Sequence, residues 1–135
     1  MNLYADNILE HFRHPQCKGD VPGATVTREE INVGCGDTLT LHVKIADGCI
    51  AACGWEGTGC AISQAAMSML AGELAGMSVD DARNLPPQRV RDLLGVPVGT
   101  RRLKCAFLCL HALKNALRTA AGQTPQSWEE TLGLN

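Results

Sequence analysis

Along residues 38–46 apolar and polar positions alternate one by one. Leu39, Leu41, Val43 and Ile45 fall on one side, and Thr38, Thr40, His42 and Lys44 on the other. Successive side chains of an extended chain point to opposite faces, so the pattern predicts a strand with one buried face. His42 falls on the polar face and reads as solvated. Asp47-Gly48 follows, a dipeptide suited to the positive φ angles of a tight hairpin. Residues 49–56 are then expected to pair back antiparallel, and residues 24–32 alternate weakly enough to predict one more strand. Elsewhere the period becomes helical. Leu3, Ile8, Leu9 and Phe12 recur through 3–13, before Pro15 and Gly19 end the segment. Residues 60–75, rich in Ala, Met and Leu, predict a mostly buried helix. Ser78, with Asp81 three residues on, marks the start of a short helix. Pro86 and Pro87 break it, 88–94 predict another short helix, and Gly95, Pro97 and Gly99 a linker. The last long helix is predicted over about 101–121, ending near Gly122. A tail with Pro125 carries a single amphipathic turn around Trp128 and Leu132. Helix, antiparallel strands, then several helices is an α+β order.

The chain has 135 residues, the size of one domain, and shows no internal repeat or low-complexity tract. We expect one domain over 1–135, with a core at about 3–121 and a tail at 122–135. At 45% hydrophobic and 4% aromatic, the core must be built from aliphatic side chains. A net charge of −2 predicts no strong attraction to nucleic acid or to an anionic membrane. The first residues, interrupted by Asp6 and Glu10, read as an amphipathic helix rather than a signal peptide, and no apolar run has transmembrane length. A cytoplasmic address is expected. Seven cysteines in a reducing compartment point to ligands, redox groups or core fillers before disulfides.

Three of the seven stand in distinctive surroundings: Gly34-Cys35-Gly36-Asp37, Gly57-Thr58-Gly59-Cys60-Ala61-Ile62-Ser63, and Arg101-Arg102-Leu103-Lys104-Cys105. Glycine beside cysteine lets the backbone turn and exposes the sulfur. Cys60 and Cys105 fall at expected helix N-termini, where free N–H groups favour a thiolate, and Cys105 gains further help from its basic neighbours. On a helical wheel Leu103, Phe107, Leu110, Leu113 and Leu117 form one stripe. Cys105 lies about 100° from its centre, so it is not an obvious core filler. If the strand starts early, Cys35 and Asp37 share a face. Cys35, Asp37, Cys60 and Cys105 together make three sulfurs and one oxygen, a set that suits tetrahedral zinc or iron in a cluster. A carboxylate among thiolates makes such a site labile. Each cysteine alone reads as a small buried hydrophobe, no pair has zinc-ribbon spacing, and on spacing alone a shared site and separate buried thiols stand level.

The remaining candidates read as structural. Cys53 shares a strand face with Cys49 and Trp55 and reads as core. Cys109 reads as packing, with a resolving thiol as the alternative. Cys17, in a loop, receives no role. His11 and His14 belong to the first helix or its end, and His111 falls on the polar side of the last helix, away from Cys105.

With these residues in hand the chain resembles the U-type iron–sulfur cluster assembly proteins, the superfamily of IscU, SufU and the NifU N-terminal domain. The resemblance runs over about 3–121. It rests on Leu3-Tyr4 with Ile8 and His11, on Pro15 and Gly19, on Cys35-Gly36-Asp37, on Trp55-Glu56-Gly57-Thr58-Gly59-Cys60-Ala61-Ile62-Ser63 and on Lys104-Cys105-Ala106. It implies a three-stranded antiparallel sheet covered by helices, with Cys35, Asp37, Cys60 and Cys105 as ligands at one exposed end. It implies sulfur delivery from a pyridoxal-phosphate cysteine desulfurase and onward transfer to iron–sulfur carriers or apoproteins. In the IscU branch a [2Fe–2S] cluster is assembled on the cysteines; in the SufU branch zinc occupies the site and the protein relays persulfide sulfur. Lys104 stands where IscU proteins carry His, which is the SufU pattern. Only 44 residues separate Cys60 from Cys105, which is the IscU length. Leu85-Pro86-Pro87 resembles part of the IscU chaperone motif but lies 18 residues before Cys105. It reads as a helix breaker, and no Hsp70 partner is expected through it.

The functional expectation is a scaffold and sulfur acceptor, with Cys35 as persulfide acceptor and Cys105 as the alternative. A zinc-dependent sulfur-transfer protein that activates a desulfurase is the second reading. A module with purely structural zinc and a thiol enzyme with Cys105 as nucleophile rank lower, the latter because His111 falls on the wrong face to serve as base.

Overall fold

The chain runs α1 (Leu3–Arg13), β1 (Val26–Asn32), β2 (Asp37–Ala46), β3 (Cys49–Thr58), α2 (Ala61–Leu74), α3 (Val79–Arg83), α4 (Pro87–Leu94), a 3-10 turn (Thr100–Arg102), α5 (Leu103–Ala120) and α6 (Trp128–Leu132). The structure is a computed structural model that describes residues 3–134; residues 1, 2 and 135 of the expected domain lie outside them. Three antiparallel strands form one sheet in the order β1-β2-β3, as the resemblance implied. Leu39, Leu41 and Val43 are fully buried on one face of the central strand. Burial of each such side chain stabilises by about 1.5–3 kcal/mol relative to exposure. The β2–β3 turn has φ of 54° at Asp47 and 73° at Gly48, the left-handed pair whose twist suits an antiparallel hairpin.

Helix α5 packs on β1 and β2, α2 on β3 and α5, and α1 on the outside of α2. Two polar groups dock α1: His11 Nδ1 lies 2.7 Å from Ser68 Oγ, which also accepts from the Gln16 N–H at 2.8 Å. Helix α1 packs mainly on α2, and of its apolar positions Ile8 alone is buried, while Leu9 and Phe12 stay exposed. Pro87 opens α4, a position that needs no N–H donor, so Pro86-Pro87 separates two helices rather than merely ending one.

Two polar-face readings are corrected. The single apolar stripe on α5 understates its burial. With β1, β2, α2, α3, α4 and α6 all against it, every residue from Cys105 to Leu113 is buried. His111, expected on a polar side, is 4% exposed, with its Nδ1 2.6 Å from Thr131 Oγ1 and its ring stacked on Trp128 at 4.0 Å between centroids. The expected amphipathic turn is therefore a short docked helix. It opens on a reciprocal cap in which Ser127 Oγ accepts from Glu130 N–H at 3.2 Å and the Glu130 carboxylate accepts from Ser127 N–H at 3.5 Å. His42 is not solvated either. The segment after α1 crosses the outer face of the sheet, where the Gly19 carbonyl fills the space a Cβ of Gly54 would need. Gly54 pairs with His42, so the histidine lies beneath that crossing.

Candidate metal centre

The hairpin between β1 and β2 builds the first half of the site. Asn32 and Asp37 are ladder partners, and residues 33–36 form the turn between them. The N–H groups of Cys35 and Gly36 both donate to the Asn32 carbonyl, at 3.3 and 2.9 Å. Gly36 takes φ of 73°, which a residue without a Cβ adopts at no steric cost. Cys35 thus sits exposed in a turn rather than in the strand, and it approaches Asp37 through turn geometry rather than a shared strand face.

The link from β3 into α2 builds the second half. Gly59 has φ of 147°, and a Cβ there would collide with the Asp37 carboxylate. Cys60 is the N-cap of α2, and its backbone N–H donates to Asp37 Oδ1 at 2.9 Å. Ser63 Oγ donates to the same oxygen at 3.3 Å. Asn32 Nδ2 donates to Asp37 Oδ2 at 3.3 Å and to Cys105 Sγ at 3.5 Å. The first turn of α5 places Cys105 there, 2% exposed.

Donor atoms of Cys35, Asp37 and Cys105 lie within 4.8 Å of one another. Cys60 is outside that tight group among the described residues, yet it borders the same cavity of about 300 Å³ with Cys35, Cys105, Arg101 and Arg102. Asp37 is fully buried, which by itself would raise its pKa. Hydrogen bonds from Cys105, the Cys60 N–H, Asn32 and Ser63 outweigh burial and hold the carboxyl below its usual range. Cys105 moves the other way: burial, then its hydrogen bonds to Asp37 and Cys35, push the thiol well above its ordinary value. The thiolate expected there from the helix N-terminus and its basic neighbours is thus disfavoured, and its S–H serves as a donor to Asp37. Lys104 does not counter this, because its Nζ lies over the Trp128 ring, 5.6 Å from the centroid. A larger cavity of about 610 Å³ opens beside the cluster, lined by Cys35, Lys104, Leu103, Trp128, Leu132 and neighbours.

Asn32, Ser63 and Gly59 carry the Asp37 environment, and none was singled out from sequence. Gly59 and Ser63 stand in one of the quoted cysteine segments and Asn32 two residues before another, so the segments were legible and the roles were not. Among the other cysteines, Cys109 is fully buried and burial pushes its thiol up to about 12, as packing requires. Cys53 packs against the core, and its thiol is pushed up to about 12 by burial and by neighbouring Cys17.

A model of the NifU-like N terminal domain matches residues 3–125. The iron-sulfur cluster assembly scaffold protein IscU of Thermotoga maritima is 29% identical, over 86% of this chain and 93% of that protein. The zinc-dependent sulfurtransferase SufU of Bacillus subtilis is 26% identical, over 89% of this chain and 92% of that protein. A crystal structure described as a hypothetical protein superposes with a TM-score of 0.73 at 27% identity, covering 86% of this chain and 97% of the other.

Proposed function

The chain belongs to the NifU-like N-terminal domain family, and from that premise and the geometry of its cysteines we propose that it accepts persulfide sulfur and supports iron–sulfur cluster assembly. One observation carries the reading: an exposed cysteine on a glycine-flanked turn stands beside a buried carboxylate and a buried thiol that converge on it. The incoming sulfur comes from the persulfide of a pyridoxal-phosphate cysteine desulfurase. The Cys35 thiolate attacks the outer sulfur of that persulfide, forms Cys35–S–SH, and releases the desulfurase cysteine as a thiolate. Cys35 is the acceptor because its sulfur is exposed; Cys105, buried and protonated, is poorly placed to attack. Cys35, Asp37, Cys60 and Cys105 supply a three-sulfur, one-oxygen set for zinc or for iron of a nascent cluster. Binding would displace the Cys105 proton and draw Cys60 inward from the shared cavity. The finished cargo passes to downstream carriers or apoproteins. No helix among the described residues is long and apolar enough to cross a membrane.

A second reading, zinc-dependent relay of sulfur without a held cluster, is favoured by Lys104. Its ammonium offers no lone pair and lies over Trp128, so no nitrogen ligand enters from that side. Metal and acid-labile sulfide in protein purified without oxygen separate the two. Iron with matching sulfide supports the scaffold, one zinc per chain without sulfide supports the relay, and folded protein that binds neither metal ends both.

A further inference from the structure

Two further thiols, from segments far apart in sequence, meet over one carbonyl. Cys17 Sγ donates to the Ala71 carbonyl of α2 at 3.9 Å, and Cys53 Sγ donates to the same oxygen at 3.4 Å. The two side chains also form a hydrogen bond with each other. Cys17 is exposed and Cys53 half-buried. Cys53 stands in the middle of β3, whereas the candidate ligands gather where that strand ends and leads into Cys60.

Trp55 holds this pair together. It is fully buried on the strand face that Cys53 shares. Its indole N–H donates to the Gln16 carbonyl at 2.8 Å, and its backbone N–H to the Cys17 carbonyl at 3.1 Å. Its own carbonyl accepts from the Gly19 N–H at 2.8 Å. Residues 16–19 therefore run beside β3, with Lys18 paired in parallel to Trp55. Neighbouring strands lie about 4.8 Å apart, a spacing compatible with the about 4.4–6.8 Å between the Cα atoms of a disulfide. Cys17 takes a φ of 61°, a left-handed angle that residues other than glycine seldom adopt. The hydrogen bonds on either side of it hold the backbone there.

We propose that Cys17 and Cys53 form a redox modification site, which a peroxide converts into a reversible disulfide. The exposed Cys17 sulfur attacks one peroxide oxygen. The O–O bond breaks, and the leaving hydroxide takes the thiol proton, giving water and Cys17 sulfenic acid. The Cys53 sulfur then attacks the Cys17 sulfur. The S–S bond forms, the S–O bond breaks, and the departing hydroxide leaves with the Cys53 proton as a second water. The two thiols lose two electrons and the peroxide gains them. Burial pushes the Cys53 thiol up to about 12, and Cys17 adds to this through its charge and its hydrogen bond. Cys53 is thus a poor first target for peroxide. Once Cys17 is a neutral sulfenic acid, its charge no longer opposes ionisation of Cys53. The product fastens the link after α1 covalently to β3 and leaves the four candidate ligands out of the reaction.

Hydrogen peroxide added to the reduced full chain, followed by alkylation and peptide mass mapping without reductant, tests this. A cross-linked peptide joining Cys17 to Cys53 is expected, lighter by two hydrogens and reopened by dithiothreitol. In Cys53→Ser, Cys17 sulfenic acid has no partner, and its trapping by dimedone is expected to rise about tenfold over the parent. Cys17 left reduced, linked to another cysteine, or oxidised onward without a link would overturn the site, as would equal dimedone trapping in parent and variant. The mapping reads Cys17 and Cys53 directly, so oxidation at Cys35 does not enter it, and the sulfur-acceptor proposal stands or fails separately.

Discussion

Two polar clusters are buried against α5, and they differ in what they converge on. At the N-terminal end Asn32, the Cys60 N–H, Ser63 and Cys105 all point at Asp37, and Cys35 completes the group from solvent. Further along α5, His111, Asn115, Thr131 and Gln126 satisfy one another. Asn115 donates to Glu30 at 3.0 Å and accepts the Gln126 N–H at 2.7 Å, and Thr131 receives Gln126 Nε2 at 2.8 Å. The second cluster is closed and holds α6 down. The first holds a carboxylate ionised beside thiols and opens onto a cavity. A buried polar cluster fully paired within itself fixes structure; one that leaves a reactive group at a solvent edge is arranged for an incoming guest.

Replacing Cys35 with Ala should separate the two clusters most sharply. Sulfur uptake from a desulfurase charged with 35S-cysteine is expected to fall to background while the thermal midpoint stays put, because an exposed turn residue contributes little packing. Uptake equal to the parent would remove Cys35 from the acceptor role. Gly59→Ala strikes the open cluster from beneath. Its Cβ would displace the Asp37 carboxylate at a backbone angle that suits glycine, and we expect a loss of about 2–3 kcal/mol by urea denaturation together with weaker zinc retention against a chelator. Unchanged retention would show that Asp37 does not depend on this close approach. Asn115→Ala attacks the closed cluster, with an expected cost of about 2 kcal/mol from stranded partners and no change in sulfur uptake. A large fall in uptake would mean that the clusters are coupled through α5.

The smallest effect concerns pH. Burial lowers the His111 pKa below its ordinary 6.5; Glu30 opposes this, and Arg28 and Lys104 add to it. The unfolded chain therefore binds the extra proton first. Stability from neutral His111 is complete above pH 6.5 and declines as pH falls below it, until the folded form also protonates. His111→Gln should flatten the decline between pH 7.5 and 5.5 by about 1 kcal/mol or less. An equal decline in both proteins would place the acid sensitivity elsewhere.

These clusters also show where a linear reading succeeds. The alternation of 38–46, the Asp47-Gly48 turn and the Ser78 cap act between near neighbours, so their outcome is written locally. Cys35, Asp37, Cys60 and Cys105 were legible as a candidate set because each sits in a distinctive short segment. The burial of His42, His111 and Cys105 was not legible, since it depends on which distant segment lies on top: the Gly19 crossing, α6, and the β1–β2 hairpin. The raised Cys105 thiol follows from the same cause. Its helix position and basic neighbours argued for a thiolate, while Asp37, far off in sequence, decided the balance.

The Asn32–Cys105 hydrogen bond spans 73 residues, and the Asp37 contacts to Cys60 and Ser63 span 23 and 26. Chains emerge from the ribosome from the N-terminus onward. During synthesis the hairpin carrying Cys35 is therefore exposed long before α5 exists to receive it. The four candidate ligands can come together only after the last long helix has left the exit tunnel and docked. A nascent chain thus presents isolated thiols rather than a finished receptacle, and maturation of the site becomes a late checkpoint on completion of the whole polypeptide.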